Sequence, residues 1–407
     1  MLHDLTYGND AHCRIDLPRE RVVADCTRLR AMPLTDTAAA VVDALAAPLD
    51  FLPLVQMIVP GDRVVLALAR GVPQAGRIVA AIVNTLIVGG TNPENITLVL
   101  SDEEPPICSN ATDALPESVR GAIHIVRHDP TCREALAYLA VSRSARPIYM
   151  NREIHDADVV IPIGAVRPEE ALDYVGMHGG LFPTFSDSDT QQRFSKTASL
   201  MRPQKRRRRR AEAEEVAWLL GVQFTVQVVP GPDDSVLHVL AGNVQSVARR
   251  GRELCEKVWH YRVPHRASLV VAAVEGGPRE QTWENFSRAL FAASRAVKDD
   301  GAIVLCTQIA DAPGPALRSI TAHATPEGSV PSHHVNGSAE SLSATLVAQA
   351  RARVRVYLLS QLDGELVEEM GLAHVSDPEE IVRLSGQYDS CILLANAQHA
   401  VPTVEEE

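Results

Sequence analysis

Residues 147–183 read PIYMNREIHDADVVIPIGAVRPEEALDYVGMHGGLFP, and their pattern decides the fold class. Within them, residues 158–164 are a short apolar run bounded by polar residues, which predicts a buried strand. The run empties into a loop carrying Glu169, Glu170, Gly176, His178, Gly179 and Gly180. In an α/β protein the carboxyl end of a strand is where ligands collect, so this loop is the first candidate site.

Working outward, short β-branched runs alternate with amphipathic stretches. Residues 62–69 (DRVVLALA) predict a strand. Residues 75–88 predict a helix, with Ile78, Ile82 and Leu86 at fourfold spacing and Gly89-Gly90 as its stop, and residues 96–100 return as a strand. The cycle recurs as strand 267–274, helix 282–298 and strand 302–307, then as strand 353–359, helix 378–384 and strand 391–395. Such alternation implies an α/β fold with helices packed on mainly parallel sheets. At 407 residues the chain has room for two or three domains. Residues 261–265 (YRVPH) read as a linker, giving one domain at 1–264 and a second at 265–407. Residues 311–315 and 324–341, rich in Pro, Gly, Ser or His, read as surface loops.

Hydrophobic residues at 46% and charged residues at 22% fit a globular chain. No apolar run approaches the roughly 18 to 20 residues of a membrane span, and MLHDLTYGNDAHCRID lacks the basic and apolar regions of a signal peptide. Seven scattered cysteines without a CxxC pair imply reduced thiols and a cytoplasmic setting. A net charge of −12 argues against nucleic acid as the main partner. One feature opposes that balance, Lys205 followed by the arginine run 206–210. Arginines at a helix start oppose the helix dipole, so the run is expected in the loop before the helix AEAEEVAWLLG. Two readings stand: a solvated lead-in paired with Glu212, Glu214 and Glu215, or a phosphate or polyanion contact.

Gly276-Gly277, between a strand end and a helix start, reads either as an anion cradle or as a tight turn. It is not a GxGxxG fingerprint, so a nicotinamide cofactor has little support. His333-His334 has no acidic or cysteine partner at metal spacing and reads as part of a surface loop. Trp283 is either a pocket wall or core. No GxSxG, HExxH or P-loop is present.

Taken in order, several short elements resemble the nickel-dependent lactate racemase family. They are Tyr7-Gly8 with Ile15-Asp16-Leu17-Pro18, His128-Asp129, and Asn151-Arg152 ahead of Ala157-Asp158. Further on come GVQFTVQVV at 221–229 with Ala241-Gly242-Asn243, and Gly276-Gly277-Pro278-Arg279-Glu280-Gln281. The resemblance implies two α/β domains around a cleft and a nickel pincer nucleotide, tethered through a lysine and held to its metal by a histidine. It also implies two histidines acting as acid and base in racemisation or epimerisation of a 2-hydroxy acid. Histidine suits that work because its pKa lies near neutrality.

Carried over position by position, the acid–base histidines fall on Glu104 and Glu169, and the tethering lysine falls on Gly179 beside His178. The nickel histidine falls near residues 193–195, where none exists. The phosphate loop becomes Ala69-Arg70-Gly71-Val72-Pro73, while Gln281 and a cation, Arg288, are kept. The catalytic candidates are therefore Glu104, Glu169, Gln281 and Arg288. The cofactor-binding candidates are Arg70, Gly176, His178, Gly179, Gly180, Lys196, Gly276 and Gly277. His178 is the metal candidate, with Lys196 and His178 as stand-ins for the missing lysine and histidine. Two carboxylates facing each other would repel and raise at least one pKa, favouring a neutral or cationic substrate; the plainer reading is two solvated glutamates. Three functions are open: a divergent racemase or epimerase, a catalytically silent nucleotide- or metabolite-binding relative, and a polyanion-binding protein.

Overall fold

A computed structural model gives the fold and describes residues 1–101, 111–172, 174, 176–195, 203–318 and 339–405. The chain opens with an antiparallel hairpin, β1 (Leu2–Tyr7) and β2 (Ala11–Asp16), followed by β3 (Val22–Cys26). Helix α1 (Thr37–Ala46), with Asp36 accepting from the Ala39 N–H as its cap, leads into the first large sheet. Its strands are β4 (Val64–Leu68), β5 (Ile96–Leu100), β6 (His124–Arg127), β9 (Val159–Ala165), β10 (Phe224–Pro230) and β11 (Val236–Asn243). The small hairpin β7 (Leu136–Val141) and β8 (Pro147–Asn151) precedes β9.

The sheet order is β11-β10-β9-β4-β5-β6, parallel throughout except at β11. Every residue of β4 and β5 is buried, which is why both read as unbroken apolar runs rather than alternating ones. Helix α2 (Ala75–Val88) covers one face with Ile78, Val79, Ile82, Val83 and Leu86.

Farther along lie α3 (Ser188–Ser195), α4 (Pro203–Leu219) and α5 (Val244–Trp259). The second sheet is built from β13 (Ala267–Ala273), β14 (Val297–Cys306), β15 (Arg355–Leu359), β16 (Ala373–Val375) and β17 (Cys391–Leu394). Its helices are α6 (Trp283–Ala296), α7 (Ala339–Arg351) and α8 (Pro378–Ser385). The order is β16-β15-β14-β13-β17-β3, all parallel, and the short strands β12 (His260–Val263) and β18 (Val401–Val404) pair beside it.

Two expectations change here. The first 26 residues do not stay with the first sheet. β3 is the edge strand of the second, and Leu5, Tyr7, Cys13 and Ile15 bury against Leu269, Val271 and Val304. The division by sheet therefore departs from a single cut at 264. The run 206–210 is helical, not loop, because α4 begins at Pro203 and the arginines find partners that outweigh the dipole.

One apolar cluster spans both sheets. Val166 and Leu172 after β9, Val229 of β10, and Cys255 and Trp259 of α5 pack with Val270, Ala272, Ile303 and Leu305 of the second sheet. The strand ends of the two sheets are thereby held facing each other. The six described cysteines are free thiols, five of them buried. Among the described residues no helix is long and apolar enough to cross a membrane.

Candidate functional site

The loop after β9 forms one wall. Glu169 accepts from Arg210 Nη1 of α4 at 2.5 Å, and Arg252 of α5 approaches its other oxygen at 3.8 Å. The hydrogen bond from Arg210 holds the Glu169 carboxyl below its ordinary range, against a smaller opposing effect of burial. Glu169 is therefore an ionised, paired carboxylate; of the two carboxylates expected to face each other, at least one with a raised pKa, the other, Glu104, lies outside the described residues. Its charge is also offset by Arg210 and Arg252. Glu170 ion-pairs with Arg295 of α6. Of the expected partners of the arginine run, Glu212 acts electrostatically on Arg209, while the closest contacts of Glu212 and Glu215 come from outside the helix. Glu212 is held by both Nη atoms of Arg193, at 2.8 and 2.6 Å, and Glu215 by Arg143.

The same loop ends in a single tight turn, Met177–Gly180. Gly176 has φ +97, and a Cβ there would lie 2.9 Å from Arg210 Cγ, so the arginine lies against this glycine. Gly180 packs on the end of β4, where a Cβ would meet Ala69 Cβ at 2.6 Å. His178 stands in this turn, half-buried, and burial pushes its pKa down to about 4. Its imidazole is neutral at pH 7, the form that accepts a proton or a metal.

The loop after β13 forms the facing wall, and carboxylates fill it. Gly276 has φ +117, and a Cβ there would lie 2.5 Å from Glu280 Cγ. The Gly277 N–H donates to Asp233 Oδ1 at 3.1 Å, so the glycine pair is a turn already satisfied by the protein's own anion. Burial raises Glu280 to about 7, with Asn285 Nδ2 donating to it at 2.8 Å. Burial also raises Asp234, which accepts from the Gln74 N–H, and Glu275, which accepts from Asn396 Nδ2 at 2.6 Å.

Gln281 is wholly engaged. Its Nε2 donates to the carbonyls of Val274 and Gly276, and its Oε1 accepts from the Gln308 N–H at 2.7 Å. It clamps the loop to β14. Trp283 packs on Phe286 and donates to the Asp311 carbonyl.

Polar contacts join the walls. Arg70, at the end of β4, reaches Glu284 at 3.3 Å, and Glu284 also pairs with Arg288, which donates to Asn285 Oδ1. Arg167 donates to the Gln398 carbonyl at 3.0 Å. Next to it His399 is half-buried, and desolvation, aided by Arg167 and Arg288, pushes its pKa down to about 3.

The structure thus gathers Glu169, Gly176, His178, Gly179 and Gly180 at one wall, Gly276, Gly277 and Gln281 at the other, and Arg70 with Arg288 between them. Glu104, Lys196 and His333-His334 lie outside the described residues. Reasoning from sequence missed Arg252, Arg295, Asp233, Asp234 and Glu280. The turn PGPDD after β10 was the available signal for the two aspartates, and Asp233 there takes φ +53.

The described residues of this cluster do not fit a tethered nickel pincer nucleotide. No described lysine ion-pairs or hydrogen-bonds with this cluster. The glycine turn that could receive a phosphate is met by Asp233 and Glu280. Among the described residues no three His, Cys, Asp or Glu side chains are grouped to hold a metal.

Residues 7–206 match the family model described as the lactate racemase N-terminal domain. The lactate racemase apoprotein from Thermoanaerobacterium thermosaccharolyticum superimposes with a TM-score of 0.82 at 16% identity, over 99% of this chain and 100% of that one. A protein from Thermotoga maritima superimposes with a TM-score of 0.65 at 12% identity, over 92% of this chain and 100% of that one. No curated protein sequence matches significantly. The whole-length likeness establishes the fold, and residues 7–206 form a lactate racemase N-terminal domain.

Proposed function

We propose that this protein is a ligand-binding member of the lactate racemase family, not a racemase working through a tethered nickel cofactor. Its ligand is a small anionic metabolite held between the two sheets. The observation that carries the reading is the Glu169–Arg210 pair. Where the family resemblance calls for an acid–base histidine, this chain has a carboxylate held ionised by a guanidinium. A group with a depressed pKa is a weak base and cannot donate a proton near neutral pH. Supporting this, Gly179 offers no amine for a covalent tether, and Gln281 is consumed by backbone bonds.

The test is calorimetric titration of the full chain with the nickel pincer nucleotide, together with intact mass, nickel content and racemisation of D- and L-lactate. The expected result is no covalent mass increase, no stoichiometric nickel and no racemisation. A tethered cofactor with interconversion of the lactate enantiomers overturns the proposal.

A further inference from the structure

We infer that the arginines around the β9 loop form a binding site for a doubly charged oxyanion of the phosphate-monoester type. The inference rests on the reading of the cleft as a ligand site and names the chemistry of its ligand.

Helix α4 carries its arginines in two sets. Arg207 and Arg208 are exposed, whereas Arg206 and Arg210, four apart, lie half-buried on the side that also buries Arg209 and Ala213. Residues four apart share one helix face. Arg206 and Arg210 are joined by Arg252 from α5 and Arg295 from α6, so three helices supply four guanidinium groups. The carboxylates they meet are Glu169 and Glu170. Among the described residues of the cluster the cations therefore exceed the anions by two.

Two further observations point to an absent partner. Arg210 Nε is buried with no hydrogen-bond partner, although its Nη1 is bonded and its guanidinium lies 5.2 Å above the Tyr174 ring. Arg206 is surrounded by charges, Arg295, Glu170, Arg210 and Glu169, yet hydrogen-bonds to no described residue, and burial lowers its pKa. Half-buried guanidinium groups are held close together here without enough acceptors, which is unfavourable unless an anion supplies them.

A phosphate monoester carries about −1.5 to −2 at pH 7 and three acceptor oxygens, which matches both the excess charge and the open donors. Arginine's planar fork suits such oxyanions. A net charge of −12 repels anions from the molecule as a whole, so any phosphate affinity has to be local.

The probe is inorganic phosphate, titrated calorimetrically into the full chain at fixed ionic strength, with sulfate and succinate as parallel arms. Phosphate is expected to bind, with sulfate weaker and succinate weakest. Arg206→Gln and Arg295→Gln are each expected to weaken phosphate about tenfold, while Arg207→Gln and Arg208→Gln leave it unchanged. The outward-facing pair controls for lost charge, and thermal melts of all four variants control for folding. Absence of phosphate binding overturns the inference, as does equal binding by the inward and outward variants. Succinate binding more tightly than phosphate overturns the phosphate assignment in favour of a dicarboxylate. These outcomes are independent of the racemisation assay, so the two readings can fail separately.

Discussion

The two walls of the cleft share one construction and carry opposite charge. Each is a loop leaving the carboxyl end of a parallel strand, β9 on one side and β13 on the other, and each places one glycine, Gly176 or Gly276, at positive φ. At β9 the loop is crowded by Arg206, Arg210, Arg252 and Arg295. At β13 it is crowded by Asp233, Asp234, Glu275 and Glu280. A glycine turn at a strand end does not by itself make an anion site; the side chains that neighbouring elements bring to it set the sign. Here α4, α5 and α6 bring cations to one loop, and the turn after β10 brings aspartates to the other.

The contrast can be broken hardest at Gly276. Gly276→Ala puts a methyl 2.5 Å from Glu280 Cγ in a backbone conformation that L residues avoid. Chemical denaturation is expected to show a loss of about 3 kcal/mol. Gly277→Ala, where a Cβ meets nothing within 4 Å, is expected to stay within about 0.5 kcal/mol. Equal losses would mean that the carboxylate packing at Gly276 is not what constrains the turn.

Next in size is the pH response of the acidic wall. Glu280 titrates near 7 when folded, above its unfolded value of about 4.3. The folded chain therefore holds the extra proton between those values, and the stability contributed is full at low pH and lost as pH rises through about 7. Glu280→Gln cannot lose it. The difference in unfolding free energy between variant and parent is expected to move in the variant's favour from pH 5 to pH 8, by up to about 3 kcal/mol. A pH-independent difference would place the Glu280 carboxyl in water.

A smaller effect belongs to the basic wall. Arg210→Gln leaves Glu169 with the more distant Arg252 and Arg206 and is expected to cost about 1 kcal/mol. In the double variant with Glu169→Gln, a coupling of about 0.5 to 1 kcal/mol is expected from the cycle. Zero coupling would mean that the pair contributes nothing net. Smallest are Arg207→Gln and Arg208→Gln, both solvent-facing and expected within about 0.5 kcal/mol on thermal melts.

The alternating apolar runs were legible because buried parallel strands such as VVLAL and CILL tolerate no polar residue on either face. The arginine run was misplaced because helix-dipole reasoning is local, while the partners that stabilise it, Glu169 and the Arg193 carbonyl, come from elsewhere in the chain. Gly276-Gly277 was legible as a turn but not as an occupied one, since Asp233 reaches it from forty-four residues away. The Glu169 loop was identifiable, but its pKa direction was not. That direction depends on Arg210, whose helix returns across the loop only in three dimensions.

The pairing of β3 with β17 sets the order in which the molecule can be assembled. The second sheet's edge strand, β3, precedes the whole first sheet in the chain, and its docking partner, β17, follows every other strand of the second sheet. The β1–β2 hairpin must wait as well, because its apolar side chains bury against β13 and β14. Until then an apolar hairpin and an open edge at β17 coexist, and unpaired edges invite association with other chains. Closing the sheet is thus a late, long-range step of folding, joining strands that the whole of the first sheet separates in sequence.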